Sequence, residues 1–285
     1  MNTQTVEEIQ SAIADGRLIP YLGPGVLALA GTDCPLPSGP DLLVAKLTAK
    51  ATVPHKIRKN LSAAAQFIEN FKHRKTIHSV MTEAFKPHVD PTHLHHWVAS
   101  WPKLPLVVHA WYDDLMLQAL AGRDGWGFVQ GVSQAEHLAT WVHYFGPDRV
   151  RLEKDAELEA AAAWSTVLYE PWGSVAPEGN FLVSDSDFVE VLTEIDIQTP
   201  IPEKVQEIRT GRNFLFLGCR FMYQLERIFA FQIMKRSTDK HWAVLPETPT
   251  KNEQRFLDRY NVERIDLPLD EFIAKFAQQK EPALA

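Results

Sequence analysis

Cysteine is scarce in this chain: 285 residues carry two, Cys34 and Cys219. Two thiols exclude a four-cysteine zinc module and a disulfide framework, so no zinc is expected and a reducing cytoplasm is the default compartment. Long apolar runs are missing too. None approaches the roughly 20 residues that cross a bilayer, which leaves no membrane-spanning helix to expect. The opening stretch, MNTQTVEEIQSAIADGR, is acidic and amphipathic. It has neither the basic n-region nor the apolar h-region of a secretory signal. Positive charge is short: 29 Lys and Arg face 36 Asp and Glu, for a net charge of −7. That balance argues against a nucleic-acid partner. The one basic run, Lys72-His73-Arg74-Lys75, reads as a charged helix connection, because no aromatic platform accompanies it. Internal repeats, low-complexity tracts and a full G-x-G-x-x-G fingerprint are all absent.

Core material is plentiful, with eight Trp and 15 Phe. Short apolar runs predict strands at 18–22, 104–109, 126–132, 150–152, 165–168, 213–217, 241–245 and 262–265. Helical spacing predicts helices at 7–14, 42–51, 61–70, 76–84, 92–100, 112–121, 135–144, 187–194, 202–210, 223–234, 250–260 and 269–278. Asp41 and Ser184 are the expected caps of the helices that follow them. The alanine run at 160–163 fits either state. Strands alternate with helices repeatedly, which predicts an α/β fold: a Rossmann-like, doubly wound parallel sheet. One domain over 1–285 is expected, with residues 42–100 as an inserted helical cap.

Four segments fall where such a sheet places its ligands, at strand ends. The first is LIPYLGPGV at 18–26. Gly23 and Gly25 have no Cβ, so the backbone can adopt φ > 0 and approach a ligand closely. Pro24 removes one N–H that could bind an anion. The others are LVVHAWYDDL at 106–115, VLYEPWGSV at 167–175 and FLFLGCRF at 214–221.

In that order the four segments resemble the SIR2-like family, the bacterial relatives of sirtuins, over roughly residues 15–275. The family's versions read like F-L-G-A-G-V/I-S, T-T-N-Y-D-D-L, K-L-H-G-S/D-I and F-L-G-Y-S-L. His96-Trp97-Val98-Ala99-Ser100-Trp101-Pro102 stands where the family carries a His helix and an A-x-L-P turn. Gly23, Gly25, Tyr112, Asp113, Asp114, Leu115, Gly173 and Gly218 match, while Pro24 and Cys219 replace small or polar residues. The family's catalytic Asn falls on Trp111 and its catalytic His on Trp172.

The resemblance implies a site for NAD, ADP-ribose or a related nucleotide. Gly23, Pro24, Gly25 and Val26 would line one side of it. Trp111, Tyr112, Asp113, Trp172 and Gly173 would line the nicotinamide end, and Gly218, Cys219 and Arg220 the ribose or phosphate end. Trp can only donate a hydrogen bond and cannot act as a general base, so sirtuin-type turnover is expected to be lost. The two indoles could instead build an aromatic box or fill the pocket. A degenerate nucleotide binder with a sensor or regulatory role is the leading expectation. An active NAD glycohydrolase or deacylase that uses His109 and Asp113 as substitutes is the alternative. A structural interaction protein with a closed pocket is the third reading. A homo-oligomer or a protein partner stays open.

Several residues carry a plainer reading. Asp113 could cap the helix after it as readily as bind an amide. Cys219 reads as a buried small residue more readily than as a reactive thiol. His93 and His96 have metal-binding spacing, but no Cys or carboxylate stands beside them, so one histidine is expected to cap or pack and the others to be solvated.

Overall fold

A computed structural model describes residues 2–194 and 200–277. Its strands are β1 (Leu18–Leu22), β2 (Leu106–His109), β3 (Trp126–Gly131), β4 (Val142–Phe145), β5 (Thr166–Glu170), β6 (Asn213–Leu217), β7 (His241–Val244) and β8 (Val262–Ile265). They form one sheet in the order β4-β3-β5-β2-β1-β6-β7-β8. Every pairing is parallel except β3 with β4. The helices are α1 (Thr3–Ala14), α2 (Pro40–Lys50), α3 (Leu61–Lys72), α4 (Arg74–Phe85), α5 (His93–Ala99), α6 (Leu115–Leu120) and α7 (Ala135–Leu138). Then come α8 (Glu157–Ala163), α9 (Asp185–Glu194), α10 (Glu203–Arg209), α11 (Gln224–Met234), α12 (Lys251–Arg259) and α13 (Leu269–Ala277).

The sheet is covered on both faces, because alternate residues of each strand enter different cores. Ile19, Tyr21, Phe214 and Phe216 join one core with Leu47, Ile68, Met81, Phe229 and Phe256 from α2, α3, α4, α11 and α12. Leu18, Leu22, Leu215 and Leu217 join the other with Ile9, Val98, Leu117 and Phe272 from α1, α5, α6 and α13. Residues 42–100 are therefore divided between the two faces: α2, α3 and α4 pack on one another, while α5 packs on α6 and α13.

Local chemistry moves several boundaries. Helix α1 starts earlier than its apolar pattern because the Asn2 side chain caps it, accepting from the Thr5 N–H at 2.7 Å. Asp41 is not a cap; it lies in the first turn of α2, after Gly39 and Pro40. The joint between α3 and α4 is the single residue His73, at φ +67°, so Arg74 and Lys75 are helical. Residues 112–114 precede α6 instead of starting it. The expected helix at 135–144 stops at Leu138, with Ala139 in the left-handed region. Its second half, Val-His-Tyr-Phe, is β-branched and aromatic and pairs with β3 as β4. Residues 150–152 make only an isolated bridge, Arg151 to Phe145. The alanine run belongs to α8. Gln278, the expected end of the last helix, lies outside the described residues.

Candidate functional site

The chain leaves β1 toward β2 on one side and returns to β6 on the other. A crevice opens outside the carboxyl ends of strands where the order reverses in this way. The cleft found there is a cavity of about 370 Å³. Its walls are the turn after β1 (Gly23, Pro24, Gly25), Ala110 after β2, the loop after β6 (Gly218 to Tyr223), and Asp41, Glu226, Glu247 and Trp172. A second chamber of about 440 Å³ shares Pro40, Trp172, Tyr223 and Glu226 with the first. It adds Trp111, Tyr112, Asp185, Phe188, Leu192 and Leu225.

The glycines line the cleft and also pack its two turns together. Gly23 has an extended backbone (φ −106°), and of the three turn glycines only Gly218 takes positive φ, at +65°. A Cβ on Gly23 or Gly25 would meet the Gly218 carbonyl oxygen at 2.6 or 2.8 Å, and one on Gly218 would fall on the Val26 nitrogen. The three absent side chains thus let two turns dock. The docking consumes donors: Gly23 N–H donates to Leu217 (2.9 Å), Gly25 N–H to Gly218 (2.9 Å) and Val26 N–H to Gly23 (3.2 Å). Val26 itself is buried.

Both indoles line the cleft without closing it. Trp111 donates its N–H to the Pro37 carbonyl at 2.8 Å and is fully buried. Trp172 stands at the wall common to both chambers, edge-on to Trp111, Phe188 and Phe229. Its indole N–H is buried and has no acceptor among the described residues. The Tyr112 hydroxyl donates to the Leu182 carbonyl at 2.7 Å. Gly173, at φ +67°, bridges to Phe181 and turns the chain behind Trp172. Burial pushes the Cys219 thiol well above its usual range, and the thiol lies 3.5 Å from the Tyr21 carbonyl. It is a small wall residue, not a thiolate.

His109 and Asp113 line neither chamber. His109 Nε2 is 3.4 Å from Asp113 and Nδ1 is 3.3 Å from Glu170, all three buried. Burial opposes the charge of His109, but the two carboxylates outweigh it and raise its pKa to about 10. A protonated, enclosed imidazole cannot serve as the substitute base expected of it. Burial also opposes the Asp113 charge, yet His109 beside it holds that carboxyl below its usual range. Asp113 accepts from the Leu115 N–H at 3.1 Å, a capping role. Glu170 accepts from Gln130 at 2.7 Å. In the α5 cluster, His95 takes the capping bond from Thr92 N–H at 3.2 Å while His93 and His96 are exposed. Among the described residues no group of three His, Cys, Asp or Glu could hold a metal.

Among the described residues Arg220 is the one cation of the cleft lining, and it is not free. Buried Glu253 holds its guanidinium through two bonds of 2.8 and 3.0 Å, and Glu247 stands 3.7 Å away. Burial works against the Glu253 charge, but Arg220 and the N–H groups of Thr250 and Phe221 bring its pKa down to about 2. Sequence reasoning missed Glu253, although Thr250-x-x-Glu253 carries the capping-box signal that marks it. It also missed Glu226, which lines both chambers and accepts from the Tyr223 N–H at 3.2 Å. Burial pushes the Glu226 carboxyl up to about 7. Glu226 closes a capping box at the start of α11, but Tyr223 in the cap position, in place of Ser or Thr, hides that signal in the sequence.

A family model described as a SIR2-like domain matches residues 105–265, more than half of the chain. The match includes HAWYDDL, EPWGS and FLGCRF and leaves out the turn at 23–25. No curated protein matches the chain.

Proposed function

The chain belongs to the SIR2-like family, and from that premise we propose that it binds a nucleoside-type ligand without the family's turnover, as a sensor or regulatory partner. The observation that carries this reading is the pair Trp111 and Trp172 at the cleft wall. The sequence resemblance puts the family's Asn and His on these positions, and an indole has no lone pair with which to take a proton. Histidine is absent from the lining of both chambers among the described residues.

NAD and ADP-ribose fit this site in part. Tyr21 and Trp172 supply aromatic wall for a flat ring, and Asp41 and Glu247 can accept from ribose hydroxyls. The diphosphate does not fit. The N–H groups of Gly23, Gly25 and Val26 are already donated, Pro24 has none, and Arg220 is held by Glu253. We therefore assign no reaction step to a bound dinucleotide.

A second reading has one observation behind it. Glu226 has a pKa of about 7 and faces both chambers, as a general base for N-glycoside hydrolysis would. Melting the protein with adenosine, nicotinamide riboside, NAD and ADP-ribose tests the binding reading. A rise in Tm with at least one of them is expected; no shift with any at millimolar concentration would sink it.

A further inference from the structure

We infer that the cleft takes a flat organic cation and refuses a diphosphate, because its two chambers present four carboxyl groups and one guanidinium that is already paired. The inference rests on the binding reading above and narrows the ligand class.

The charge ledger comes from the lining. Asp41 and Glu247 border the first chamber, Asp185 the second, and Glu226 both. Arg220 is the sole cation among the described lining residues, and its bidentate partner Glu253 cancels it. An incoming phosphate would meet carboxylates in a partly desolvated space with no free donor at the glycine turn, which is repulsive. An incoming cation meets the reverse. Trp172, Tyr21 and Tyr223 add aromatic wall, to which a flat cation is attracted through the ring quadrupole.

Glu226 gives the inference a second observable. The groups facing it are the Tyr223 N–H and hydroxyl and Arg227 near its own element, Tyr21 of β1, Cys219, Arg220 and Glu253 beside the β6 loop, and Asp41, Asp185 and Glu247 in the lining of the chambers. None is a histidine. Its carboxyl is about half protonated near neutral pH, and a bound cation favours the ionised form. Affinity for a cation therefore rises with pH through neutrality, and binding releases a proton.

Calorimetric titration of the whole protein with four probes tests this. They are 1-methylnicotinamide (cationic), nicotinamide (the same ring, neutral), nicotinamide riboside (a cationic ring with ribose) and ADP-ribose. The expected result at pH 8 is at least about tenfold tighter binding of 1-methylnicotinamide than of nicotinamide (about 1.4 kcal/mol), with ADP-ribose weaker than either cation. The advantage shrinks at pH 6. Glu226→Gln removes most of it and its pH dependence, and Glu247→Gln, at the mouth, gives an independent partial loss if the first variant folds poorly. ADP-ribose binding as tightly as the cations, or nicotinamide matching 1-methylnicotinamide, overturns the inference and spares the binding reading. Silence from all four probes overturns both.

Discussion

His109 stands between Asp113 and Glu170, and each of the three depends on the others for being buried at all. Replacing His109 by Leu strands two carboxyls in the core, which costs about 3–5 kcal/mol; urea unfolding at pH 7 should show that loss. The pH dependence has a definite sign. A pKa raised from 6.5 to about 10 means that folding strengthens proton binding, so the stabilisation is complete below about pH 6.5 and is lost as pH rises through 10. The urea midpoint of the wild type should fall between pH 7 and 10, with a shallower fall in His109→Leu. Sequence reading put His109 at a strand end beside Trp111, which is where it lies. It could not see Glu170, 61 residues away in sequence, and that partner makes the imidazole a fixed cation instead of a base.

Two turns and one helix end organise the cleft. The turns after β1 and β6 dock through Gly23, Gly25 and Gly218, so Gly218→Ala forces both a positive φ and a clash with Val26. A loss of about 1–3 kcal/mol is expected, read as a lower Tm together with weaker ligand binding. The N-terminus of α12 fixes Arg220 through Glu253. Glu253→Gln keeps the size but gives up the charge-assisted bonds, at about 1.5–3 kcal/mol. It also releases a cation into the cleft, so ADP-ribose should bind the variant more tightly than the wild type; unchanged ADP-ribose affinity in a folded variant would contradict the pairing. Most elements were legible because alternation and helical spacing leave direct traces in the sequence. The antiparallel edge strand β4 was not, because Ala135–Leu138 begins as a helix and the switch at Ala139 depends on pairing with β3. The glycines were legible as special, but their partner was a second turn almost 200 residues later, which no local pattern reveals.

Across the whole molecule, the alternating pattern set out a doubly wound parallel sheet and placed seven of the eight strands found among the described residues, and the order of four strand-end motifs pointed to the crevice where that sheet reverses. That level of organisation does not hang on any one side chain, so a SIR2-like chain keeps a cleft with Trp111 and Trp172 in its wall. The sequence located the cleft through Gly23, Gly25, Trp172 and Gly218. Its charge came from Asp41, Asp185, Glu226 and Glu247, brought together from three helical regions and a loop after β7. The account stands or falls on binding without cleavage. Incubating the protein at high micromolar concentration with nicotinamide riboside, at a concentration that saturates its binding, for several hours and quantifying free nicotinamide tests it most directly. The account predicts release no faster than in buffer alone; sustained multiple-turnover release, abolished by Glu226→Gln, would contradict it.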